Sequence, residues 1–350
     1  MHLTRSTLPR IALAATVAGL IAPGVLAAQQ ITGAGATFPA PVYAKWGEAA
    51  KGPTGIELNY QPIGSGGGQN QIINRTVDFG ASDAPMDAER LKSANLLQFP
   101  TVMGAVVPIV NVPGMAANQV KLTGEVLAGM YAGTITKWND PKVAQLNPGL
   151  TLPNVAVAPV YRADSSGTSF VFTSFLAEQS ADWKSKVGAG QSVKWPAGDG
   201  ARGNDGVAAS VKNTRGGVGY VENAYATQNN LVTTQLRNKD GQFVSPSLAA
   251  FAAAAQNGDW ANAPNFAVNL IDQPGATSWP IVSATFLLVP RDPKDPAREA
   301  AVLKWVDWAY QSGDDVAKQL EYIALPSSVK EKVRTTWHTE LTAGGKPVYK

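Results

Sequence analysis

The chain has no cysteine and only two histidines, His2 and His338. Without cysteine no disulfide can form, and no lipid can be attached at a leader's cleavage site. No histidine or cysteine metal cluster can be assembled, so neither a metal site nor a cofactor is expected. A Ser-His-Asp triad would have to recruit His338, which lies in the C-terminal tail, far in sequence from the candidate residues below. Net charge is also scarce: 29 Lys and Arg stand against 26 Asp and Glu, with no basic block. Nucleic acid is therefore not an expected partner.

Long apolar runs are short as well. Ile11 to Ala22 is an apolar stretch behind Arg5 and Arg10, followed by Pro23-Gly24 and the small-residue site Val25-Leu26-Ala27. That pattern is a secretory signal, too short to anchor the protein across a bilayer. Cleavage is expected after Ala27. Loss of residues 1–27 removes Arg5 and Arg10 and no acid, leaving 27 basic against 26 acidic residues. The mature chain is expected to be a free, soluble monomer in a bacterial periplasm, and not a lipoprotein.

What the sequence does have is glycine (34) and proline (24), with small hydroxyl residues at recurring turns. The stretch Val160-Tyr-Arg-Ala-Asp-Ser-Ser-Gly-Thr-Ser-Phe170 closes a β-rich run and opens an apolar helix. A helix start leaves backbone N–H groups without partners and favours negative charge. Ser166 and Thr168 add hydroxyls there. Arg162 adds a planar charged fork, and Gly167 permits close approach to the backbone. The stretch reads as a seat for a small oxyanion or as an ordinary N-cap, and both readings stand open at this point.

Two further turns of this kind precede it. Gly33-Ala-Gly-Ala-Thr-Phe38 leads through Pro39-Ala-Pro41 into a helical Val42–Ala50. Phe38 stands where a dinucleotide fingerprint would need its third glycine, so that motif is rejected. Ile56–Tyr60 alternates as a strand and runs into Pro62-Ile-Gly-Ser-Gly-Gly-Gly-Gln69, then a helical Asn70–Arg75. This turn lacks the Gly-Lys-Ser/Thr ending of a nucleotide P-loop. Thr37 and Ser65 sit at the two turns. Val77–Asp83 is a short strand delivering Asp83 at its end, where ligands sit in α/β sheets. Capping is the plain alternative for Thr37 and, ahead of Asp87–Leu91, for Asp83.

Phe99–Val112 and Pro280–Val289 read as two long buried strands. Between them come helices at Gly124–Tyr131, Ala201–Thr214 and around Ala249–Ala255, with a glycine-rich strand at Gly216–Val221. Helices at Pro296–Tyr310, Asp314–Tyr322 and Ser327–Thr336 finish the chain. Strands alternating with helices argue for α/β layers. Two crossings put the start and end of the chain, residues 28–106 and 282–350, in one lobe and residues 107–281 in the other. Thr37, Phe38, Ser65 and Asp83 then face Arg162, Ser166, Gly167 and Thr168 across a cleft.

Nearly all these groups donate, whereas an ionised Asp83 only accepts. An acceptor among donors fits an anion that brings its own proton. Phosphate does so near neutral pH and sulfate does not. None of the seats offers an activated nucleophile or a base near neutral pKa, so catalysis is not expected.

Several long motifs in order carry a resemblance. They are Gly33–Pro41, Ile63–Gly68, Val77–Pro85 and Arg162–Phe170, with Val193–Pro196, Gly203-Asn-Asp-Gly206 and Gly219–Glu222. The mature sequence resembles the periplasmic phosphate-binding proteins of high-affinity phosphate ABC transporters. The resemblance implies a two-lobed, type II binding-protein fold of α/β class, each lobe a mixed sheet flanked by helices, joined by a two-segment hinge. It implies phosphate contacts at Thr37, Phe38, Ser65, Asp83, Arg162, Ser166, Gly167 and Thr168, and an ion pair of Asp164 with Arg162. It implies membrane permease subunits as partners and no enzymatic activity. Two positions depart from the family pattern: Gly66, where serine is common, and Ser165, where glycine is common. Another tetrahedral oxyanion such as sulfate, or a secreted phosphatase activity, is the alternative.

Overall fold

A computed structural model describes residue 2 and residues 29–349; the expected signal at 1–27 lies, His2 aside, outside them. The first part of the chain alternates as β1 (Gln29–Gly35), α1 (Ala40–Thr54), β2 (Ile56–Pro62), α2 (Ser65–Ile73), β3 (Phe79–Ser82) and α3 (Ala88–Ser93). The long strand β4 (Leu96–Asn111) follows. Then come β5 (Lys121–Leu122), α4 (Gly124–Tyr131), α5 (Pro141–Leu146), β6 (Ala158–Arg162), α6 (Gly167–Gln179), α7 (Ala181–Lys186) and β7 (Asp199–Ala201). After them lie α8 (Gly203–Asn213), β8 (Gly217–Glu222), α9 (Asn223–Gln228), β9 (Val232–Thr233), β10 (Gln235–Arg237), β11 (Phe243–Val244) and α10 (Leu248–Ala255). The chain returns through β12 (Val282–Pro290) and ends with α11 (Pro296–Ser312), α12 (Asp314–Gln319) and α13 (Ser327–Glu340).

The main sheet has the order β2-β1-β3-β12-β4-β8-β6-β7, with β9 also on β4. β4 changes partner along its length. Leu96 to Ala105 pair antiparallel with β12, whereas Val106 to Asn111 pair antiparallel with β8. Strand β1 is parallel to β2 and β3, and β6 is parallel to β7 and β8. Both lobes are thus mixed sheets, and β4 passes between them. All but the last residue of β4 is buried, as befits a strand covered on both faces.

Pro100 sits inside β4 without a ladder N–H to give. The register shifts between Thr285 and Phe286 opposite it, a bulge that absorbs the missing donor. Helix α1 buries Val42, Tyr43, Trp46 and Ala50, one face at helical spacing. Tyr43 meets Trp305 of α11 edge-on at 5.3 Å between centroids. Burying a side chain of this size contributes about 1.5–3 kcal/mol, so Trp305, fully buried here, holds the last helices on the first lobe.

Several expected boundaries shift. The helix after β2 begins at Ser65, not Asn70, so Gly66, Gly67 and Gly68 form its first turn. The α12 helix stops at Gln319, which leaves Tyr322 outside it. α13 continues to Glu340, so exposed His338 lies in a helix's last turn and not in a tail.

Candidate functional site: a cleft lined by donors

Each seat stands where a strand ends and a helix begins. Thr37 and Phe38 join β1 to α1, Ser65 opens α2, Asp83 follows β3, and Ser166 caps α6. The plain capping roles separate cleanly. Asp87, not Asp83, caps α3 through the Arg90 N–H at 2.7 Å. Pro39, not Thr37, occupies the N-cap of α1. Ser166 does cap, accepting from the Ser169 N–H at 3.0 Å, and is also fully buried in the cleft.

The two lobes meet at these residues. Thr37, Ser65, Asp83, Arg162, Ser166 and Thr168 are each at most 4% exposed, so the cleft encloses whatever it holds. The Gly167 N–H of the second lobe donates to Ser65 Oγ of the first at 3.1 Å. Gly167 has to be glycine at this approach. A β-carbon there would lie 2.4 Å from Ser65 Oγ and 2.6 Å from Asp83 Oδ2.

Arg162 is held from behind. Its Nε donates to Asp164 Oδ1 at 2.7 Å, and Nη2 pairs with Asp164 Oδ2. Its Nη1 reaches Thr168 Oγ1 at 3.3 Å. Partial burial pushes the Asp164 carboxyl up, but the Arg162 guanidinium and the Gly203 N–H outweigh it, and the carboxyl sits below its usual range. A two-pronged pair of this kind fixes the plane of the guanidinium and leaves the remaining N–H groups aimed elsewhere.

The hydroxyls share one property. Thr37 Oγ1 accepts from Asn204 Nδ2 at 2.7 Å, and Ser65 Oγ accepts from the Asp83 and Gly167 N–H groups. Ser166 Oγ accepts from Ser169, and Thr168 Oγ1 accepts from Arg162 and from Asn204 Nδ2 at 3.3 Å. With lone pairs already taken by N–H donors, each hydroxyl keeps its hydrogen to give. The walls are therefore donors. Asp83 is the exception: Thr285 donates to its Oδ1 at 2.7 Å, while the buried Oδ2 has no hydrogen-bond partner among the described residues.

That environment moves the titration of Asp83. Burial raises its pKa to about 7, against the Thr285 hydroxyl, the Arg162 charge and the nearby Ser65 hydroxyl, which lower it. The expectation that no group near neutral pKa occupies the site is corrected by this residue.

Asn204, Thr285, Tyr225 and Tyr322 were not assigned from the sequence. Tyr225 donates to the Thr37 carbonyl at 2.7 Å, and the Tyr322 hydroxyl lies 2.6 Å from the Phe38 carbonyl and 2.8 Å from Glu222 Oε2. Only Asn204 carries a local signal, the Gly203-Asn-Asp-Gly206 turn. Thr285 and Tyr322 approach the cleft from more than 200 residues away in sequence. A cavity of about 970 Å³ lies elsewhere on the second lobe, walled by Trp183, Lys186, Lys194, Trp195 and Arg237, and it includes none of these groups. Among the described residues, no cluster of three or more acidic or histidine side chains could hold a metal ion.

Fold and cleft define a two-lobed binding protein of the periplasmic type. A family model described as a PBP superfamily domain matches residues 22–312. The chain is 50% identical over 323 residues to a phosphate-binding protein PstS of Pasteurella multocida, covering 92% of this chain and 94% of the relative. It is 48% identical over 314 residues to a phosphate-binding protein PstS of Haemophilus influenzae, covering 90% and 94%. A phosphate-binding protein structure from Stenotrophomonas maltophilia superposes with a TM-score of 0.67 at 23% identity, covering 88% of this chain and 93% of that one. The chain belongs to the PBP superfamily and, within it, to the PstS family of these relatives.

Proposed function

We propose that this chain binds inorganic phosphate in the cleft and delivers it to the permease subunits of a membrane ABC transporter. The single observation that carries the reading is the pairing of four donor hydroxyls and Arg162 with one buried, unpartnered acceptor, Asp83 Oδ2. An anion seated there needs several acceptor oxygens and one O–H. Phosphate as HPO₄²⁻ or H₂PO₄⁻ has both; sulfate has only the oxygens. The names of the PstS relatives point the same way.

On this reading Thr37, Phe38, Ser65, Asp83, Arg162, Ser166, Gly167 and Thr168 contact the ligand, and Asp164 holds Arg162. Tyr225 on the Thr37 carbonyl fixes a peptide unit whose opposite edge carries the Phe38 N–H. Residues 28–106 and 282–350 form one lobe and 107–281 the other, so ligand contacts on both sides couple binding to closure. The protein works as a monomer in the periplasm, without catalysis. Among the described residues no helix is long and apolar enough to cross a membrane.

Calorimetric titration of the mature protein with phosphate, and separately with sulfate, tests the reading. Saturable binding of phosphate at one site, with sulfate far weaker, is expected. Equal or stronger binding of sulfate would defeat it.

A further inference from the structure

Asn204 bonds two of the cleft threonines, Thr37 and Thr168, through one side-chain amide. It is fully buried at the start of α8, on the second lobe. Its Oδ1 accepts the Glu222 N–H at 3.0 Å. A backbone N–H can only donate, so that bond decides which end of the amide is which. The NH₂ end must then face the other way. It donates to Thr37 Oγ1 on the first lobe at 2.7 Å and approaches Thr168 Oγ1 on the second at 3.3 Å. The Asn204 N–H, at the open end of its helix, also points at Thr37 Oγ1, at 3.4 Å.

From this chain of contacts, and resting on the phosphate reading, we infer that Asn204 is a positioning residue that sets the hydrogen-bond polarity of the site. The direction starts at the Glu222 peptide, passes through the amide, and ends by occupying an acceptor lone pair on both threonines. Each threonine hydroxyl is thereby turned to donate toward the anion. Because one threonine belongs to each lobe, the same amide registers closure: it completes its second bond only when Thr37 has arrived. A hydroxyl otherwise chooses freely between donating and accepting, and an accepting hydroxyl facing an anion opposes binding.

The test exploits the one-atom difference between amide and carboxylate. Asn204→Asp keeps the size and the acceptor for the Glu222 N–H, but replaces the NH₂ group by an acceptor. Both threonines would then turn their hydrogens toward residue 204. Phosphate affinity is measured by calorimetry for wild type, Asn204→Asp, the Thr37→Val/Thr168→Val double variant, and the triple variant. A weakening of roughly 10²–10⁴-fold is expected from Asn204→Asp in the wild-type background, the scale of two lost bonds to a charged ligand. Most of it should vanish when both threonines are valine, because no hydroxyl is left to turn. The added negative charge is present in both backgrounds, so its own effect cancels in the comparison. Asn204→Ala, which adds no charge, is put through the same cycle and should show the same coupling. Melting of each ligand-free variant shows whether it is folded. Equal losses in both backgrounds, or no loss in the wild-type background, would overturn the inference. Failure of the wild-type protein to bind phosphate would instead defeat the reading on which it rests.

Discussion

Gly66 and Ser165 share one space from opposite lobes. A β-carbon on Gly66 would lie 2.2 Å from Ser165 Oγ and 2.5 Å from Ser165 Cβ, and the Gly66 N–H donates to the Ser165 carbonyl at 3.0 Å. These are the two positions that depart from the family pattern. Seen together they are one exchange: the side chain common at 66 is absent, and a side chain stands at 165 where glycine is common. The contact lies next in sequence to Ser65 and Ser166, where the two lobes approach each other.

The exchange predicts an outcome for three variants. Gly66→Ser alone puts two side chains into one space and should weaken phosphate binding by about 1–3 kcal/mol, the usual cost of overpacking. Adding Ser165→Gly should restore most of the affinity. Ser165→Gly alone should change it little. Calorimetric dissociation constants for the three check this; a double variant as weak as Gly66→Ser would show that the contact does not limit closure.

Arg162→Lys should weaken phosphate binding by roughly 1–3 kcal/mol. Lysine keeps the charge but cannot hold both oxygens of Asp164 with one edge of a planar fork while presenting the other. An unchanged dissociation constant would place the guanidinium outside the binding contacts.

The pKa of Asp83 carries a stability signature. Its folded value is raised from 3.8 to about 7 by burial. A carboxyl raised on folding contributes stability that is fully present below its unfolded pKa and is lost as pH rises through the folded one. The ligand-free protein should therefore lose this contribution between about pH 4 and pH 7. Asp83→Asn cannot ionise. Relative to wild type, the ligand-free variant should gain melting temperature from pH 5 to pH 8. A difference that stays constant over that range would show that Asp83 ionises normally in the cleft.

Much of the cleft was legible because its groups cluster at strand-to-helix turns. Glycine, serine and threonine at such turns announce backbone donors, and Arg162 announces charge. The strand β4 was legible as a buried run passing between two lobes, but the point at which it changes partner was not. Its change of partner at Ala105–Val106 depends on where β8 and β12 end, which no local pattern encodes. Thr285 was hidden for the same reason: on a buried strand its hydroxyl looks like one more β-former until Asp83 is placed beside it. The near-neutral pKa of Asp83 was not legible either, since it arises from burial and not from neighbours in sequence.

Phosphate monoesters should not be turned over. Asp83 has a pKa suited to a general base, but its carboxylate is bonded to Thr285, and the seats around it are almost wholly enclosed. The ester group of a bound monoester would have no exit. Incubation with a chromogenic monoester across pH 5 to 8 should release nothing above background. Saturable release abolished by Ser65→Ala or Asp83→Asn would assign catalysis to the cleft.

The central claim is that Asp83 reads a proton on the ligand. With phosphate, a ligand hydroxyl donates to the buried Oδ2. With sulfate, a lone pair meets a carboxylate in a desolvated cleft, and repulsion adds to an unpaired acceptor. Sites of this kind can reject an analogue lacking the hydrogen bond by roughly 10⁴–10⁵. In Asp83→Asn, with Thr285 still donating to Oδ1, an NH₂ group takes the place of Oδ2. Sulfate then meets a donor, and phosphate can turn its proton elsewhere. The direct measurement is a set of calorimetric titrations of wild type and Asp83→Asn with both anions, at pH 8 and one salt concentration. A sulfate-to-phosphate affinity ratio that rises at least tenfold in the variant is the predicted result. A ratio that stays the same or falls would contradict the account, and would place the discrimination in the donors of the cleft instead.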